Sequence, residues 1–393
     1  MVKRSFWAKL LETASASSSV LWLTGVPGSG KSFLCQGFGD VEYFDCTIPR
    51  IWMEMEDSEG FLRKLRGKIV VLDEIQQVPN HQEILSIAAN RSSLPKIIAT
   101  SPLSLNGNQY LIDTIGEKIT QIWLTPIMSQ DLMDFGQTNL ADRFLRGGLP
   151  FFFLNGRKAG GEFEEWVNLF WARGLQEPFR LERRNSFKRL IELLFAQSGD
   201  LFEAKRFVNP CGMSHPTVMK YLLALQASWL VQIIRPFSTR HATEIISIPK
   251  TYAFDTGFFC HFRGWQELRQ EDFGILWKHW VLNELNCHLQ RRVIHYWRDK
   301  GGHEIDFILI TKEMGITAIV CQWRENDFQS KNLRAFRRRY PEGRNWVVCG
   351  DNVQAHTQTL GKIRLEFMSL EEMGKWIAPL CQIRDTPQPS IKV

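Results

Sequence analysis

Short apolar runs separated by stretches of helical period recur through the first third of the chain. Val20-Leu21-Trp22-Leu23, Val41 to Phe44, Ile69-Val70-Val71-Leu72, Ile97-Ile98-Ala99 and Thr120 to Leu124 read as strands, the third with the unbroken apolar run of a buried parallel strand. Helices between them predict a doubly wound parallel sheet, with a preceding helix in which Phe6, Trp7, Leu10 and Leu11 share one face. From Ser129 to about Leu190 the pattern is helical, broken at Arg143-Phe144-Leu145-Arg146-Gly147-Gly148-Leu149-Pro150. Phe202 to Val208 then reads as a helix, Asn209-Pro210-Cys211-Gly212 as a turn, and Ser214-His215-Pro216-Thr217 as the start of a second helix burying Val218, Leu222 and Leu225. A strand follows from Trp229 to Ile234. Beyond Tyr252 come a long helix, Gly274 to Gln290, and strands at Val293 to Trp297, Glu304 to Ile310 and Thr317 to Cys321. Helix Ser330 to Tyr340 and strand Asn345 to Val348 complete an αβββαβ order.

Between the first strand and its helix stands Gly25-Val26-Pro27-Gly28-Ser29-Gly30-Lys31-Ser32, which fits the GxxxxGK[ST] phosphate-binding pattern. Such a loop turns successive backbone N–H groups toward phosphates, and its glycines allow the required backbone shape. The expected nucleotide contacts are therefore Gly25, Pro27, Gly28, Ser29, Gly30, Lys31, Ser32 and Phe33, with Lys31 at the outer phosphates and the Ser32 hydroxyl on Mg²⁺.

The strand ending in Leu72-Asp73-Glu74 supplies two carboxylates at its C-terminal end. Asp73 is expected to hold Mg²⁺ directly or through water, and Glu74 to orient and deprotonate an attacking water. Thr100 or Ser101, at the end of the next strand, is placed to position that water, although a hydroxyl there also serves as an ordinary cap. Lys31, Glu74 and one of these hydroxyls form the expected catalytic set, with ATP and Mg²⁺ as cofactors.

At 393 residues the chain is long enough for about two to four domains, and 44% hydrophobic with 23% charged residues describes a globular protein. Disorder is expected only in the proline-containing tail from Thr386 to Val393. The eight cysteines stand singly, so neither a CxxC zinc site nor a disulfide framework is expected. Met1 to Leu11 lacks the apolar stretch of a signal peptide and no run reaches membrane-span length, so a reduced, cytoplasmic chain without a membrane partner is expected. A net charge of +6 is compatible with DNA or RNA as a partner. Ser214, His215, Thr217 and Lys220 at the second helix start, and Arg334, Arg337, Arg338 and Arg339 near the end, are the candidate contacts. Arg143 or Arg146 is a candidate to approach a nucleotide, in this chain or a neighbouring copy.

Taken in order, these segments resemble a family of prokaryotic AAA-type ATPases with a winged helix and a C-terminal restriction-endonuclease-like domain. The markers are the phosphate loop, Leu72-Asp73-Glu74-Ile75-Gln76, Pro126, Arg146-Gly147-Gly148-Leu149-Pro150, Thr217-Val218-Met219-Lys220-Tyr221-Leu222, Asp255-Thr256-Gly257 and Tyr296-Trp297-Arg298 before Glu304-Ile305-Asp306-Phe307. The resemblance implies an α/β chain: a P-loop AAA-type parallel-sheet domain (1–128), a helical lid (129–190), a winged helix (191–249) and an endonuclease-like α/β domain (250–393). Nuclease chemistry in that fold needs an acid on the first helix, an Asp on the second strand and Glu-x-Lys on the third. Asp306 is present, but Lys278 stands at the helix position and Val320-Cys321-Gln322 on the third strand, with Glu304 and Glu325 as nearby carboxylates. The domain is therefore expected to be catalytically inactive. Lys118 likewise stands where the family tends to carry an arginine. The leading expectation is an ATPase switching a nucleic-acid-associated assembly; the alternatives are a non-hydrolysing nucleic-acid-binding or scaffold module and a Mg²⁺-dependent nuclease. A protein partner or homo-oligomer remains open.

Overall fold

In the computed structural model, which describes residues 4–380 other than 92, 106–108, 156–160, 177, 239–247, 291–292 and 352–353, the first five apolar runs form one parallel sheet. Strands β1 (Val20–Thr24), β2 (Val41–Asp45), β3 (Ile69–Asp73), β4 (Lys96–Ser101) and β5 (Ile119–Trp123) lie in the order β2-β3-β4-β1-β5. Residues of β1 alternate between two cores, which is why it has to be apolar throughout. Leu21 and Leu23 meet Trp7, Leu11 and Ala14 of helix α1 (Ser5–Ser17). Val20 and Trp22 share the opposite core with Ile84, Leu85 and Ala88 of a later helix, His81–Asn90. In chain order the remaining helices of this unit are α2 (Lys31–Gln36), α3 (Pro49–Glu54), α4 (Ser58–Lys64), α5 (His81–Asn90) and α6 (Gln109–Ile115).

Helices α7 (Ser129–Asp134), α8 (Leu140–Arg146), α9 (Pro150–Leu154), α10 (Gly161–Phe170), α11 (Arg184–Ala196), α12 (Lys205–Cys211) and α13 (His215–Ala227) follow. The expected helix from Phe202 to Val208 is displaced: α12 begins at Lys205 and continues through the anticipated turn to Cys211. Its predicted first residue is taken up by pairing, since the Phe202 N–H donates to the Pro249 carbonyl beside the bridge between Leu201 and Lys250. Gly212, left-handed at φ 60°, ends the helix instead.

The last unit is an eight-stranded sheet in the order β12-β13-β11-β10-β9-β8-β6-β7. Its elements are β6 (Val231–Pro236), β7 (Lys250–Ala253), α14 (Thr256–Phe262), α15 (Phe273–Leu289), β8 (His295–Arg298), β9 (Glu304–Thr311), β10 (Gly315–Gln322), α16 (Lys331–Arg339), β11 (Asn345–Cys349), β12 (His356–Leu360), β13 (Ile363–Met368) and α17 (Leu370–Ile377). The strand expected to follow α13 thus joins the C-terminal sheet, pairing antiparallel with β7 and parallel with β8. On one face, Leu276, Trp280 and Val281 of α15 pack with Phe307, Leu309 and Ile319; on the other, Leu333 and Phe336 of α16 pack with Ile308, Ala318 and Val347. The proline-containing tail lies outside the described residues.

Helix α15 also lies along the chain leaving β5, and polar groups join the two. Asn283 donates to the carbonyls of Pro126 and Ile127, Glu284 accepts from the Ser129 N–H at 2.5 Å, and Gln290 accepts from the Trp123 N–H at 2.9 Å. These bonds satisfy backbone groups that the end of a strand would otherwise leave unpaired in a buried place.

Candidate nucleotide site

The phosphate loop connects β1 to α2 at the C-terminal edge of the sheet. At Gly25, with φ 154°, an added Cβ would fall 2.6 Å from the Leu124 carbonyl oxygen, so no side chain fits there. Gly30 is left-handed at φ 99° and caps α2. Lys31 is 4% exposed and folds back on the loop, donating to the Gly25 carbonyl at 2.8 Å and the Val26 carbonyl at 3.4 Å. Burial pulls its ammonium below the usual lysine range, while the charges of Glu74 and Asp73 oppose that shift. Its Nζ lies 3.9 Å from Glu74 Oε1. Pro27, half-buried, and exposed Gly28 form the outer part of the loop; Ser32 and Phe33, half-buried, open α2.

Asp73 is buried at the end of β3 and engages two hydroxyls. Tyr43 on β2 donates to Oδ2 at 2.5 Å, and Thr100 on β4 donates to Oδ1. Thr100 also accepts from the Glu74 N–H at 2.9 Å, so one hydroxyl links both acidic residues. Glu74 itself is left-handed at φ 56°, an uncommon and costly conformation for a side chain of this size. Gln76 Nε2 donates to its Oε2 at 2.5 Å and fixes the carboxylate's direction. Of the two candidate hydroxyls, Ser101 serves a local turn by accepting from the Leu103 N–H at 3.1 Å, whereas Thr100 is built into the acidic pair.

Three participants escape sequence reasoning. Tyr43 reaches Asp73 through the parallel register that sets Asp45 beside Asp73. Trp166 on α10 lies against the loop and donates from Nε1 to the Pro27 carbonyl at 3.1 Å. Arg4, 2% exposed, donates to the Ser29 carbonyl at 2.9 Å, the Thr125 carbonyl at 3.1 Å and Asp131 Oδ2 at 2.5 Å. None of these pairs has a local sequence signal, because each joins residues far apart in the chain.

The residues suit a nucleoside triphosphate with Mg²⁺. Ser29 Oγ is buried without a protein partner beside a loop whose glycines keep the cradle open. Among the described residues no three His, Cys, Asp or Glu side chains could hold a metal together. A Mg²⁺ here would instead rest on the Ser32 hydroxyl, Asp73, water and the phosphates, ligands that its preference for oxygen accepts.

Other candidate residues are placed elsewhere. Arg143 is corrected: it is 1% exposed and donates to the Ile127 carbonyl and, at 2.9 Å, to Thr256 Oγ1, so it cannot reach a nucleotide. Arg146 lies 3.5 Å from Asp142, and Lys118 Nζ donates to Asn90 Oδ1 at 2.5 Å. Ser214 caps α13 by accepting from the Thr217 N–H, the Lys220 ammonium donates to the Arg180 carbonyl at 2.9 Å, and His215 is exposed. Arg337 is likewise corrected, being 5% exposed and directed inward to Asn345 Oδ1 and backbone carbonyls. In the C-terminal sheet, Lys278 Nζ lies 2.6 Å from Asp306 Oδ1, and Asp306 Oδ2 accepts from the Cys321 N–H at 2.9 Å. Glu304 pairs with Lys250 and Arg298, and Glu325 with His356.

The chain is similar to several known proteins. Uncharacterized proteins of Mycobacterium bovis and Mycobacterium tuberculosis are each 24% identical over 317 residues, covering 78% of this chain and 71% of theirs. Among solved structures, a Walker-type ATPase of Pyrococcus abyssi matches with 15% identity and TM-score 0.42 over 67% of this chain and 96% of its own. The PCH-2 protein of C. elegans matches with 15% identity and TM-score 0.23 over 57% of this chain and 66% of its own. Neither TM-score reaches 0.5, so neither structure bears on the nucleotide site. Residues 137–269 and 273–369 each match a domain of unknown function. Residues 17–133, the stretch that holds the phosphate loop and the five-stranded parallel sheet, match the model of an AAA domain.

Proposed function

We propose that the protein binds ATP with Mg²⁺ and hydrolyses it. The observation that supports this best is the joint placement of buried Lys31 in the phosphate loop and the Asp73–Thr100–Glu74 group facing it. In this reading the loop N–H groups and Lys31 bind the phosphates, Ser32 and Asp73 hold the metal, and Glu74 takes a proton from the attacking water. A metal held there would supply charge neutralisation for the phosphates. Lys31→Ala is expected to abolish ATP binding, and Glu74→Gln to keep binding while phosphate release falls by about a hundredfold or more. Unchanged release in both variants refutes hydrolysis at this site.

The reading extends to an assembly on nucleic acid, supported by α16. Lys331, Arg334 and Arg338 recur at i, i+3 and i+7 on its exposed side, opposite buried Leu333 and Phe336. The helix contains no acid, and among the described residues none of the three forms an ion pair. Such a stripe suits a phosphate backbone, and each cation removed from it should flatten the salt dependence of binding. Replacing all three by Gln is expected to weaken DNA or RNA binding and to reduce its log–log salt slope by roughly two to three. Equal binding by both proteins at low salt removes α16 from the reading.

We further assign residues 191–249 to a winged helix and 250–393 to an endonuclease-like fold without nuclease activity. The α12–α13 pair followed by β6 supports the first, and the α15-β8-β9-β10-α16-β11 order the second. Lys278 beside Asp306 supports inactivity, because an ammonium stands where metal ligands would be required. Duplex DNA should stay intact with the full chain in Mg²⁺ or Mn²⁺; cleavage that disappears in Asp306→Ala would contradict this.

A further inference from the structure

The phosphate loop is held from behind by a residue outside its motif. We infer that Arg4 is a positioning residue for nucleotide binding, orienting the Ser29–Gly30 peptide toward the phosphates; the inference rests on the ATP-binding reading above.

The argument begins with the peptide unit. In a trans peptide the C=O and the following N–H point in opposite directions. Arg4 Nη1 draws the Ser29 carbonyl outward at 2.9 Å, so the Gly30 N–H is directed to the other side. That side is where a phosphate-binding loop presents its donors. At Gly30 this constraint matters most, because the residue is left-handed and glycine by itself leaves the backbone free to choose.

The guanidinium is itself fixed. Nη2 donates to the Thr125 carbonyl at 3.1 Å and to Asp131 Oδ2 at 2.5 Å, and Asp131 is fully buried. Asp131 Oδ2 also accepts from the Met128 N–H at 2.9 Å, and the Arg4 guanidinium lies 5.4 Å from the centre of the Trp7 ring. The planar fork therefore bridges the loop, the end of β5 and the start of α7 at once. A lysine cannot do so, because its single ammonium carries the charge without the fork.

The test uses the full chain. Removing Arg4 alone leaves Asp131 buried and unpaired, which threatens the fold. Two variants avoid this: Arg4→Lys keeps the charge beside Asp131, and Arg4→Met with Asp131→Leu replaces the pair by apolar groups. Calorimetric titration with ATP and Mg²⁺, and steady-state turnover, are measured for the wild type, both variants and Lys31→Ala, with thermal melting to verify folding. Both folded variants are expected to bind ATP about tenfold more weakly, equivalent to ~1.4 kcal/mol, with KM raised and kcat within about twofold. Wild-type binding that is lost in Lys31→Ala but unchanged in both Arg4 variants overturns the inference alone. No ATP binding by the wild type overturns the reading and the inference together.

Discussion

Thr100 decides how the two acidic residues act together. Its hydroxyl donates to Asp73 and accepts from the Glu74 backbone, so Thr100→Val removes a carboxylate's donor and orphans an N–H in one step. Turnover is expected to fall about tenfold to a hundredfold and stability by ~1–3 kcal/mol. Ser101→Ala, which loses only the turn bond to Leu103, should leave turnover within about twofold. Equal effects in phosphate-release assays would contradict the division of roles. Asp73 and Glu74 were legible in the sequence because two acids closing an apolar strand, downstream of a phosphate loop, form a local pattern with a chemical purpose. Tyr43 and Arg4 were not, since their partners are set by strand register and by the close approach of distant segments.

At the scale of elements, the turn between α8 and α9 is locked to the start of α14. Asp255 accepts from the Gly148 N–H and lies 3.7 Å from Arg143, both nearly fully buried. A Cβ at Gly148 would collide with Arg143 Nη2 and fall 2.7 Å from Pro126 Cβ. Gly148→Ala is therefore expected to cost ~3 kcal/mol or more in chemical denaturation, through overpacking and disturbance of a buried ion pair. An unchanged midpoint would show that the turn yields. Both motifs were visible as sequence markers, but their contact was not. The expected order also stopped at β11, although Ile363, Leu365 and Phe367 alternate as a half-buried strand should, and Ser369 with Glu372 is a readable helix start. Strand β12 offered no such signal, being polar and almost wholly exposed.

For the whole molecule, the seam between the chain leaving β5 and α15 carries a pH response. Burial pushes Glu284 up from 4.5 to about 7, against the bonds from Ser129 that favour its carboxylate. Between these values the folded chain keeps a proton that the unfolded chain releases. The residue's contribution is thus complete below pH 4.5 and is lost as pH rises through 7, in all roughly 3 kcal/mol. His279 and His288, each drawn down from 6.5 to about 4 by burial, act in the opposite sense, so stability from them rises over that interval. The informative quantity is therefore a difference: relative to Glu284→Gln, the wild type should lose stability steadily between pH 5 and 8 in urea titrations. A pH-independent difference rejects the assignment. The doubly wound first unit was legible from its apolar runs, whereas this seam joins residues more than 150 positions apart and required the fold itself.

The pairing of Lys278 with Asp306 has a consequence of another kind. A carboxylate usually borrows its counter-ion from solution, in proportion to what the surroundings contain. Asp306 has one encoded in the chain and delivered during folding, 2.6 Å away and tethered to α15. Its neutralisation depends far less on the ionic composition around the protein than that of an exposed carboxylate, and a metal ion could compete for it only by displacing the lysine.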